Sequence, residues 1–244
     1  MLLTLLEQIN GLKARWDAAL PLEPRLLTAL RLDWEVTHTY HSNAIEGNTL
    51  TLGETKAILL DGITIGGKPL REHLEVVNHR SAMRLMTKLA MQKSALLETE
   101  ILELHKLILT GIQDLDAGYY RDTRVRVVGS SRIFPNPLKV PDLMQEFVQQ
   151  IHDYKDHIVV QAARVHFGLV HIHPFADGNG RTARLLMNLH LLRAGFPPVL
   201  VPLSVRARYY DALEAANTGD MAAFDALIAE LVLRSLLQIL EVIE

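Results

Sequence analysis

Residues 173–184 read HPFADGNGRTAR, and this stretch determines how the rest of the chain is interpreted. Two of its residues, Gly178 and Gly180, allow the backbone to approach a ligand closely and to present N–H groups to an anion. Residues 182–189 contain helix formers and no helix breaker, so the stretch opens a helix. Because backbone N–H groups and the helix dipole both attract negative charge, glycines at a helix N-terminus predict a phosphate site.

The side chains of the same stretch add the other groups that a nucleotide site needs. Arg181 and Arg184 are three residues apart, share one face of the first helical turn, and can hold successive phosphates through bidentate hydrogen bonds. Asp177 is an oxygen ligand suited to the Mg²⁺ that accompanies such phosphates. His173 is the one group of the stretch that is partly neutral and basic near pH 7. Together these residues predict a nucleotide site with a base beside it.

The composition limits the class of protein. The chain has 244 residues, of which 49% are hydrophobic, so it can bury the core of one or two globular domains. It contains no cysteine, which excludes a disulfide framework, thiolate chemistry and a cysteine zinc site, and which fits a cytoplasmic protein. The net charge of −3 argues against a nucleic-acid partner. The sequence has no run of about twenty apolar residues and no basic segment at its start, so we expect neither a membrane span nor a signal peptide.

Apolar spacing, caps and breakers predict a mostly α-helical chain with one small β-hairpin. Helices are expected at residues 2–19, 25–46, 70–92, 97–110, 142–154 and 158–172, then from the 173–184 stretch to about 195, and at 204–216 and 221–242. Thr51 with Glu54 three residues later forms a capping-box pattern. Residues 125–134 place apolar side chains around a Gly-Ser-Ser centre, which predicts the hairpin. We predict a soft boundary between an N-terminal helical region, 1–94, and a second region, 95–244.

A second short pattern, SNAIEG at residues 42–47, lies near the end of a predicted helix. Ser42 and Glu46 are four residues apart, so they share one helical face. Gly47 stands where a helix C-cap glycine is expected. Glu46 faces the unfavourable end of the helix dipole, which suggests a partner elsewhere in the chain. The simpler interpretation, a solvated glutamate before a turn, stays open at this point.

The 173–184 stretch resembles the signature loop of the Fic family, His-Pro-Phe-x-(Asp/Glu)-Gly-Asn-Gly-Arg-x-x-Arg, and it matches every specified position. The resemblance, which covers roughly residues 35–220, implies a Fic-type helical bundle with a small β-hairpin flap. It also implies transfer of AMP from ATP to a Tyr, Ser or Thr hydroxyl of a target protein or of the chain itself. In this family the histidine, here His173, is the general base. The acid, here Asp177, holds Mg²⁺, with Mn²⁺ as an alternative.

The resemblance further implies a set of site residues and a second copy of the chain as a partner. The implied ATP site comprises Asp177, Gly178, Asn179, Gly180, Arg181, Thr182, Ala183 and Arg184, with Tyr209, Tyr210 and Asn217 at the adenine end. The implied flap, which would bind the target, is centred on Val127, Val128, Gly129, Ser130 and Ser131. For the two tyrosines and Asn217, a role as core aromatics and as a helix-end asparagine remains an equal alternative. Relatives of this class often form homodimers.

The SNAIEG pattern resembles the inhibitory motif of the same family, (Ser/Thr)-x-x-x-Glu-(Gly/Asn), through Ser42, Glu46 and Gly47. The resemblance implies that Glu46 pairs with Arg184 and withholds it from the γ-phosphate of ATP. ATP then binds in a non-productive pose, so the protein would be autoinhibited in cis. The motif precedes the 95–244 region, as in the class whose inhibitory helix is N-terminal.

Three other patterns in the sequence are disfavoured. The glycines at 178–183 also fit the dinucleotide fingerprint G-x-G-x-x-(G/A), but no strand precedes them and no acid follows about twenty residues later. Residues 62–69 come close to a P-loop, but Pro69 stands where a Ser or Thr would bind Mg²⁺. His171 with His173 and Asp177 could form a transition-metal site, yet alternate residues on a helix face different ways.

Two further functions stay open beside adenylylation. The chain could remove AMP from a protein, with Glu46 positioning an attacking water. It could also be a nucleotide-bound interaction module that Glu46 keeps permanently locked. Phosphorylation, as in the Doc branch of the family, is disfavoured because that branch has lysine where Arg181 stands.

Overall fold

A computed structural model of the chain describes residues 1–92, 94–126 and 132–243. Within these residues the helices are α1 (Leu2–Ala18), α2 (Pro24–Ile45), α3 (Leu52–Lys56), α4 (Leu70–Ala90), α5 (Glu98–Leu109), α6 (Val140–Asp153), α7 (Ile158–Ile172), α8 (Asn179–Arg193), α9 (Arg206–Asn217) and α10 (Ala222–Ile243). The mostly helical fold class is therefore confirmed, and the predicted helices agree with the observed ones to within a few residues. In the described part of the chain, no helix has both the length and the apolar character needed to cross a membrane.

The capping box predicted after residue 50 is present at the start of α3. The Thr51 hydroxyl accepts a hydrogen bond from the Glu54 N–H at 3.2 Å, and the Glu54 carboxylate accepts one from the Thr51 N–H at 2.7 Å. A π-helical turn, Ala57–Asp61, continues α3 and ends at Gly62 in the left-handed conformation. The sequence indicated only a restart here, because a five-residue helix is too short for a periodic apolar pattern.

The predicted β-hairpin is not found in the part of the chain that the structure describes. Its centre, Val127, Val128, Gly129, Ser130 and Ser131, lies outside the described residues. The flanking segments, 124–126 and 132–136, contain no strand. The carbonyls of Thr123 and Pro135 accept hydrogen bonds from the side chain of Arg121 instead of from a facing strand. The hairpin therefore stays a prediction.

Helices α7 and α8 lie at the centre of the molecule and contribute to two apolar cores. One core packs the first turns of α7 and the last turns of α8 against α1, α9 and α10, and contains Phe224, Ile228 and Val232. The other core packs the last turns of α7 and the first turns of α8 against α4, α5 and α6, and contains Leu104 and Met144. Because α7 and α8 are packed into both cores, the two ends of the loop between these helices, residues 173–178, are held in fixed positions. The second core contains residues on both sides of the boundary predicted near residue 94, since α4 packs there against α5 and α8. The boundary stays a prediction.

Candidate active site

The loop between α7 and α8 makes two left-handed turns. His173, the residue after α7, has φ 52° and ψ 60°, and it is the one non-glycine with positive φ among the described residues. Gly178, the residue before α8, has φ 77° and ψ 0°. Glycine adopts this conformation without penalty, but at a histidine it costs about 1–2 kcal/mol. His173 therefore needs surrounding contacts that hold its backbone.

Arg121 supplies those contacts. Its buried guanidinium donates from Nε to the His173 carbonyl at 2.8 Å, and its backbone N–H donates to the Pro174 carbonyl at 2.9 Å. The other two nitrogens donate to the carbonyls of Thr123, at 2.9 Å, and Pro135, at 2.8 Å. Arg121 thus ties the strained turn at His173 to both ends of the predicted flap. Sequence analysis missed this residue.

Asn179 braces the loop from within. Its side-chain oxygen accepts from the Phe175 N–H at 3.0 Å, and its side-chain nitrogen donates to the Phe175 carbonyl at 2.9 Å. The Thr182 hydroxyl donates to the Gly178 carbonyl at 2.9 Å, and Ala183 is fully buried in the apolar core. The side chains of Asn179, Thr182 and Ala183 thus shape the loop and the helix, and their predicted contacts with ATP stay predictions.

His105 supports the loop from α5 and was also missed in the sequence. Its ring stacks on the buried Phe175 ring, with centroids 3.6 Å apart and planes 5° apart. Nδ1 accepts from the Gly118 N–H at 3.1 Å, so Nε2 carries the proton and donates to the Asp177 carbonyl at 3.0 Å. Burial lowers the pKa of His105 to about 4, which keeps the ring in this neutral form.

The loop forms one wall of a cavity of about 260 Å³. The predicted site residues that line this cavity are Glu46, His173, Asp177, Gly178, Asn179, Gly180, Tyr209, Tyr210 and Asn217. Val125 and Phe134, which flank the centre of the predicted flap, line it as well. Ser42, Gly47, Arg181 and Arg184 do not line the cavity; Gly47 is exposed, and the other three are buried. The structure therefore brings together residues that are up to about 170 positions apart in the chain.

His173 is held as a neutral base. Burial is the main effect, and it lowers the pKa of His173 to about 4. The Arg121 guanidinium lowers the pKa further, whereas the Val170 backbone and the carboxylates of Glu46 and Asp177 act in the opposite direction. The Phe134 ring lies against the imidazole, with centroids 4.3 Å apart. A neutral imidazole in a cavity can accept a proton from a hydroxyl group near pH 7.

Asp177 is anchored by cations and remains partly exposed. It accepts from Arg71 Nη2 at 2.8 Å, from Arg181 Nη2 at 3.3 Å and from the Gly178 N–H at 2.6 Å. Burial alone would raise the pKa of Asp177, but these groups outweigh burial and lower it, so the carboxylate is charged. Arg71 lies on α4, and the sequence gave no signal for it.

Asp177 fits an ion that arrives with its ligand rather than a resident metal centre. No group of three or more His, Cys, Asp or Glu side chains within the described ranges is arranged to hold a metal ion. Mg²⁺ typically takes one or two carboxylates and completes its shell with water and phosphate oxygens. A single charged carboxylate beside the N-terminus of α8 suits that mode of binding.

Arg184 is buried and pairs with the helix that carries the SNAIEG pattern. Its Nη2 donates to Glu46 Oε1 at 2.8 Å and to the Ser42 carbonyl at 2.8 Å, and its Nε donates to the Ser42 hydroxyl at 3.0 Å. Burial alone would lower the pKa of Arg184, but Glu46 and Tyr209 outweigh burial and raise it, so the guanidinium is charged. Gly47 has φ 102° and turns the chain after α2. Glu46 therefore pairs with Arg184, which is the partner that the family resemblance implied.

The Glu46 carboxylate also lies directly over the first turn of α8. A Cβ atom added at Gly180 would collide with Glu46 Oε1 and would lie 3.1 Å from Arg184 Nη1. A larger residue at position 180 would therefore push the Glu46 carboxylate away from this turn. An anion, in this case a side chain, therefore occupies the helix N-terminus where the sequence predicts phosphate.

The residues predicted at the adenine end differ in exposure. Tyr209 is buried, its hydroxyl bonds His166 Nε2 at 2.8 Å and lies 3.4 Å from Arg184 Nη1, and the residue also lines the cavity. Tyr210 is partly exposed, with Arg206 over its ring at 5.1 Å. The Asn217 side-chain oxygen accepts from Arg132 at 3.1 Å. All three stay predicted ligand contacts.

Known proteins resemble this chain in both sequence and fold. The Fic/DOC family model matches residues 95–191. The solved Fic-1 fragment of C. elegans, residues 134–508, is 35% identical, with a TM-score of 0.87 over 98% of this chain and 71% of that chain. The chain belongs to the Fic/DOC family. A Fic domain-containing signalling protein from Bacteroides thetaiotaomicron is 29% identical, with a TM-score of 0.87 over 94% of this chain and 95% of that chain.

Curated relatives point to the same family but are longer. The protein adenylyltransferase Fic of Drosophila grimshawi is 42% identical over 196 residues, which are 79% of this chain and 40% of that protein. The Drosophila melanogaster protein of the same name is 43% identical over 79% of this chain and 39% of its own length. The chain thus spans about two fifths of the curated relatives it matches.

Proposed function

We propose that this chain is a protein adenylyltransferase, which transfers AMP from ATP to a Tyr, Ser or Thr hydroxyl of a target protein or of itself. The observation that carries the proposal is the pairing of a neutral His173 with the N-terminus of α8 in one cavity. The names of the Drosophila relatives support the same reaction. A phosphate site alone would fit any nucleotide-binding protein. The base beside it favours an enzyme, because it can take a proton from an attacking hydroxyl group.

The triphosphate would lie along the start of α8. The N–H groups of Gly178 and Gly180 would face the α-phosphate, where negative charge increases in the transition state. Asp177 would hold Mg²⁺ or Mn²⁺, and the ion would neutralise charge on the phosphates. Arg181 is held between Asp177 and Glu75, so its charge is directed towards the same end of the helix.

His173 would act on the target hydroxyl. As the hydroxyl oxygen forms a bond to the α-phosphorus, the imidazole takes its proton. The bond between the α-phosphorus and the bridging oxygen breaks, and pyrophosphate leaves with the electron pair. The products are an AMP–protein ester and pyrophosphate. Arg121 would keep the imidazole in place through the His173 carbonyl.

Glu46 would restrain this reaction. Its ion pair with Arg184 directs that guanidinium towards α2, and its carboxylate occupies space over Gly180. Because ATP carries negative charge into the same space, the carboxylate repels it from the productive pose. Autoinhibition in cis is therefore part of the proposal, and Ser42 would help to hold the arginine.

The predicted flap would bind the target. Val125 and Phe134 line the cavity beside His173, so residues 127–131 connect two segments that border the proposed site of transfer. An extended target segment could add to such a connection through backbone hydrogen bonds.

Removal of AMP is a second candidate, and one observation favours it. The Glu46 side chain is about one third exposed and lines the cavity that also contains His173. A carboxylate in that place could orient a water molecule towards an AMP–protein ester. In that case the same residue would restrain addition and promote removal.

Intact-mass spectrometry tests the reaction. We expect the Glu46→Gly protein to gain the mass of AMP when incubated with ATP and Mg²⁺, and His173→Ala in that background to lose the gain. A general base contributes about 10²–10⁴-fold, so the loss should be nearly complete. His190→Ala is the matched control, because His190 bonds Gln161 and lies outside the cavity. A gain of phosphate or of UMP, or full transfer by the His173 variant, would contradict the proposal.

A further inference from the structure

A larger cavity lies away from the candidate active site, and we call it the α2–α4 groove. It has a volume of about 720 Å³, and six segments border it: the ends of α1 and α8, the chain from 20 to 22, the facing sides of α2 and α4, and residues 196–198. Its walls share no residue with the cavity around His173. The size falls in the range of sites that enclose small ligands, about 300–1,000 Å³.

Most of the groove wall is apolar. The residues that matter for the argument are Trp16, Trp34, Met83, Met86, Met91 and Phe196. Methionine side chains adapt to ligands of irregular shape because they are unbranched and flexible. Each methylene group that moves from water into such a wall strengthens binding about fourfold. The wall therefore suits a long apolar chain.

The charged residues of the groove carry an excess of positive charge. Arg84 donates to Glu35 from Nε at 2.9 Å and from Nη2 at 2.8 Å, so these two residues neutralise each other. Arg31 and Lys88 also line the groove, and neither has a carboxylate within ion-pair distance in the described part of the chain. Three cations and one anion give the groove a charge of +2, in a chain whose net charge is −3.

We propose that the α2–α4 groove binds a long-chain carboxylate, with its apolar chain between Trp16 and Trp34 and its carboxylate at Arg31 and Lys88. The charge of the groove favours an anionic head group, and its apolar wall favours the chain. An amphipathic helix fits less well, because a helix with its side chains is about 10–12 Å wide and six segments border the groove. The proposal concerns a site separate from the adenylylation site and does not depend on that reaction.

Tryptophan fluorescence tests the proposal directly. The chain contains two tryptophans, Trp16 and Trp34, and both line the groove, so their emission reports on binding in it, whereas a second cavity borders Trp34 only. We expect 12-bromododecanoate, below its micelle concentration, to quench the emission saturably with a stoichiometry of one. We expect 12-bromododecanol to bind more weakly, because it lacks the charge. Quenching that rises linearly without saturation, or equal affinity for the alcohol, would overturn the proposal.

Matched variants separate binding from folding. Replacing both Arg31→Gln and Lys88→Gln should weaken binding about five- to tenfold, as expected for two partly exposed ion pairs. Arg25→Gln is the control, because Arg25 is an exposed residue of α2 outside the groove. Ala90→Phe should block the groove and abolish quenching while the circular dichroism spectrum is unchanged. Unchanged affinity in the double variant, or self-association that buries both tryptophans without any ligand, would contradict the proposal.

Discussion

At the scale of single residues, Arg121 determines the behaviour of His173 in two ways. It binds the His173 carbonyl at 2.8 Å, which supports the left-handed backbone, and its charge favours the neutral imidazole. We expect Arg121→Gln to lower the rate of transfer about ten- to a hundredfold, because the strained turn is released. Rates are measured by autoadenylylation in the Glu46→Gly background.

The pH dependence distinguishes the two effects of Arg121. His173 accepts a proton only when neutral, so the rate falls as the pH drops through its pKa, which is about 4. Removal of the nearby positive charge raises that pKa, so the acid limb of the pH–rate profile should move to higher pH in Arg121→Gln. Arg124→Gln, a change of an exposed neighbour, should leave the profile in place. A lower rate with an unmoved acid limb would mean that Arg121 acts only through backbone support.

The site residues that the sequence predicted and those that it missed differ in how far along the chain they lie from the residues that they contact. His173, Asp177 and the glycines are adjacent in one motif, so their spacing alone predicts a phosphate site beside a base. Arg121 and Arg71 are 52 and 106 positions from the loop residues that they bind. An arginine that binds carbonyls of distant loops leaves no local pattern in the sequence, since only the fold brings donor and acceptors together.

At the scale of helices, α6 approaches α7 closely at one glycine. A Cβ atom added at Gly168 would lie 2.8 Å from Phe147 Cδ2 and closer still to Cε2, inside a buried core. Gly168→Ala should therefore lower the free energy of unfolding by about 1–2 kcal/mol, because overpacking outweighs the better helix propensity. The measurement is urea denaturation.

The control for this prediction is the same change in a helix that has free space. Gly11 lies on the exposed side of α1, and nothing is within 4 Å of an added Cβ atom. Gly11→Ala should raise the free energy of unfolding by about 0.5–1 kcal/mol. If both substitutions raised the free energy of unfolding equally, α6 and α7 would separate without cost, and the close approach at Gly168 would not contribute to stability.

The helices show which elements a sequence predicts well. Apolar periodicity gave the bounds of α7, 158–172, because a long helix between two cores repeats its pattern over several turns. The pattern of residues 125–134 predicted a hairpin, yet an isolated two-stranded hairpin is marginally stable in water. Its described flanks bind an arginine side chain rather than each other. Local alternation therefore says less than periodicity that extends over a buried helix.

At the scale of the whole molecule, the end of α2 contacts α8, so the proposed inhibitory residue Glu46 meets the helix that carries the proposed ATP site. Arg184 and Glu46 are 138 residues apart, and their contact depends on how the N-terminal helices pack on the 95–191 family region. In the proposed mechanism, the contact would couple the exposed C-terminal end of α2 to the phosphate site. Such a coupling between sites typically changes a binding affinity about 5–150-fold.

Removal of the carboxylate tests this coupling. We expect Glu46→Gly to raise autoadenylylation at least about fivefold, because Arg184 is released and the space over Gly180 is open to the triphosphate. Glu46→Gln, which keeps the length of the side chain but not its charge, should give an intermediate rate. Arg184→Ala should show no gain, and the double variant should resemble it, since residues in contact give non-additive effects. Labelled ATP measures all four proteins beside the wild type. An unchanged rate in Glu46→Gly would mean that the ion pair only ends a helix, whereas loss of AMP removal in that variant would assign Glu46 to the hydrolytic reaction.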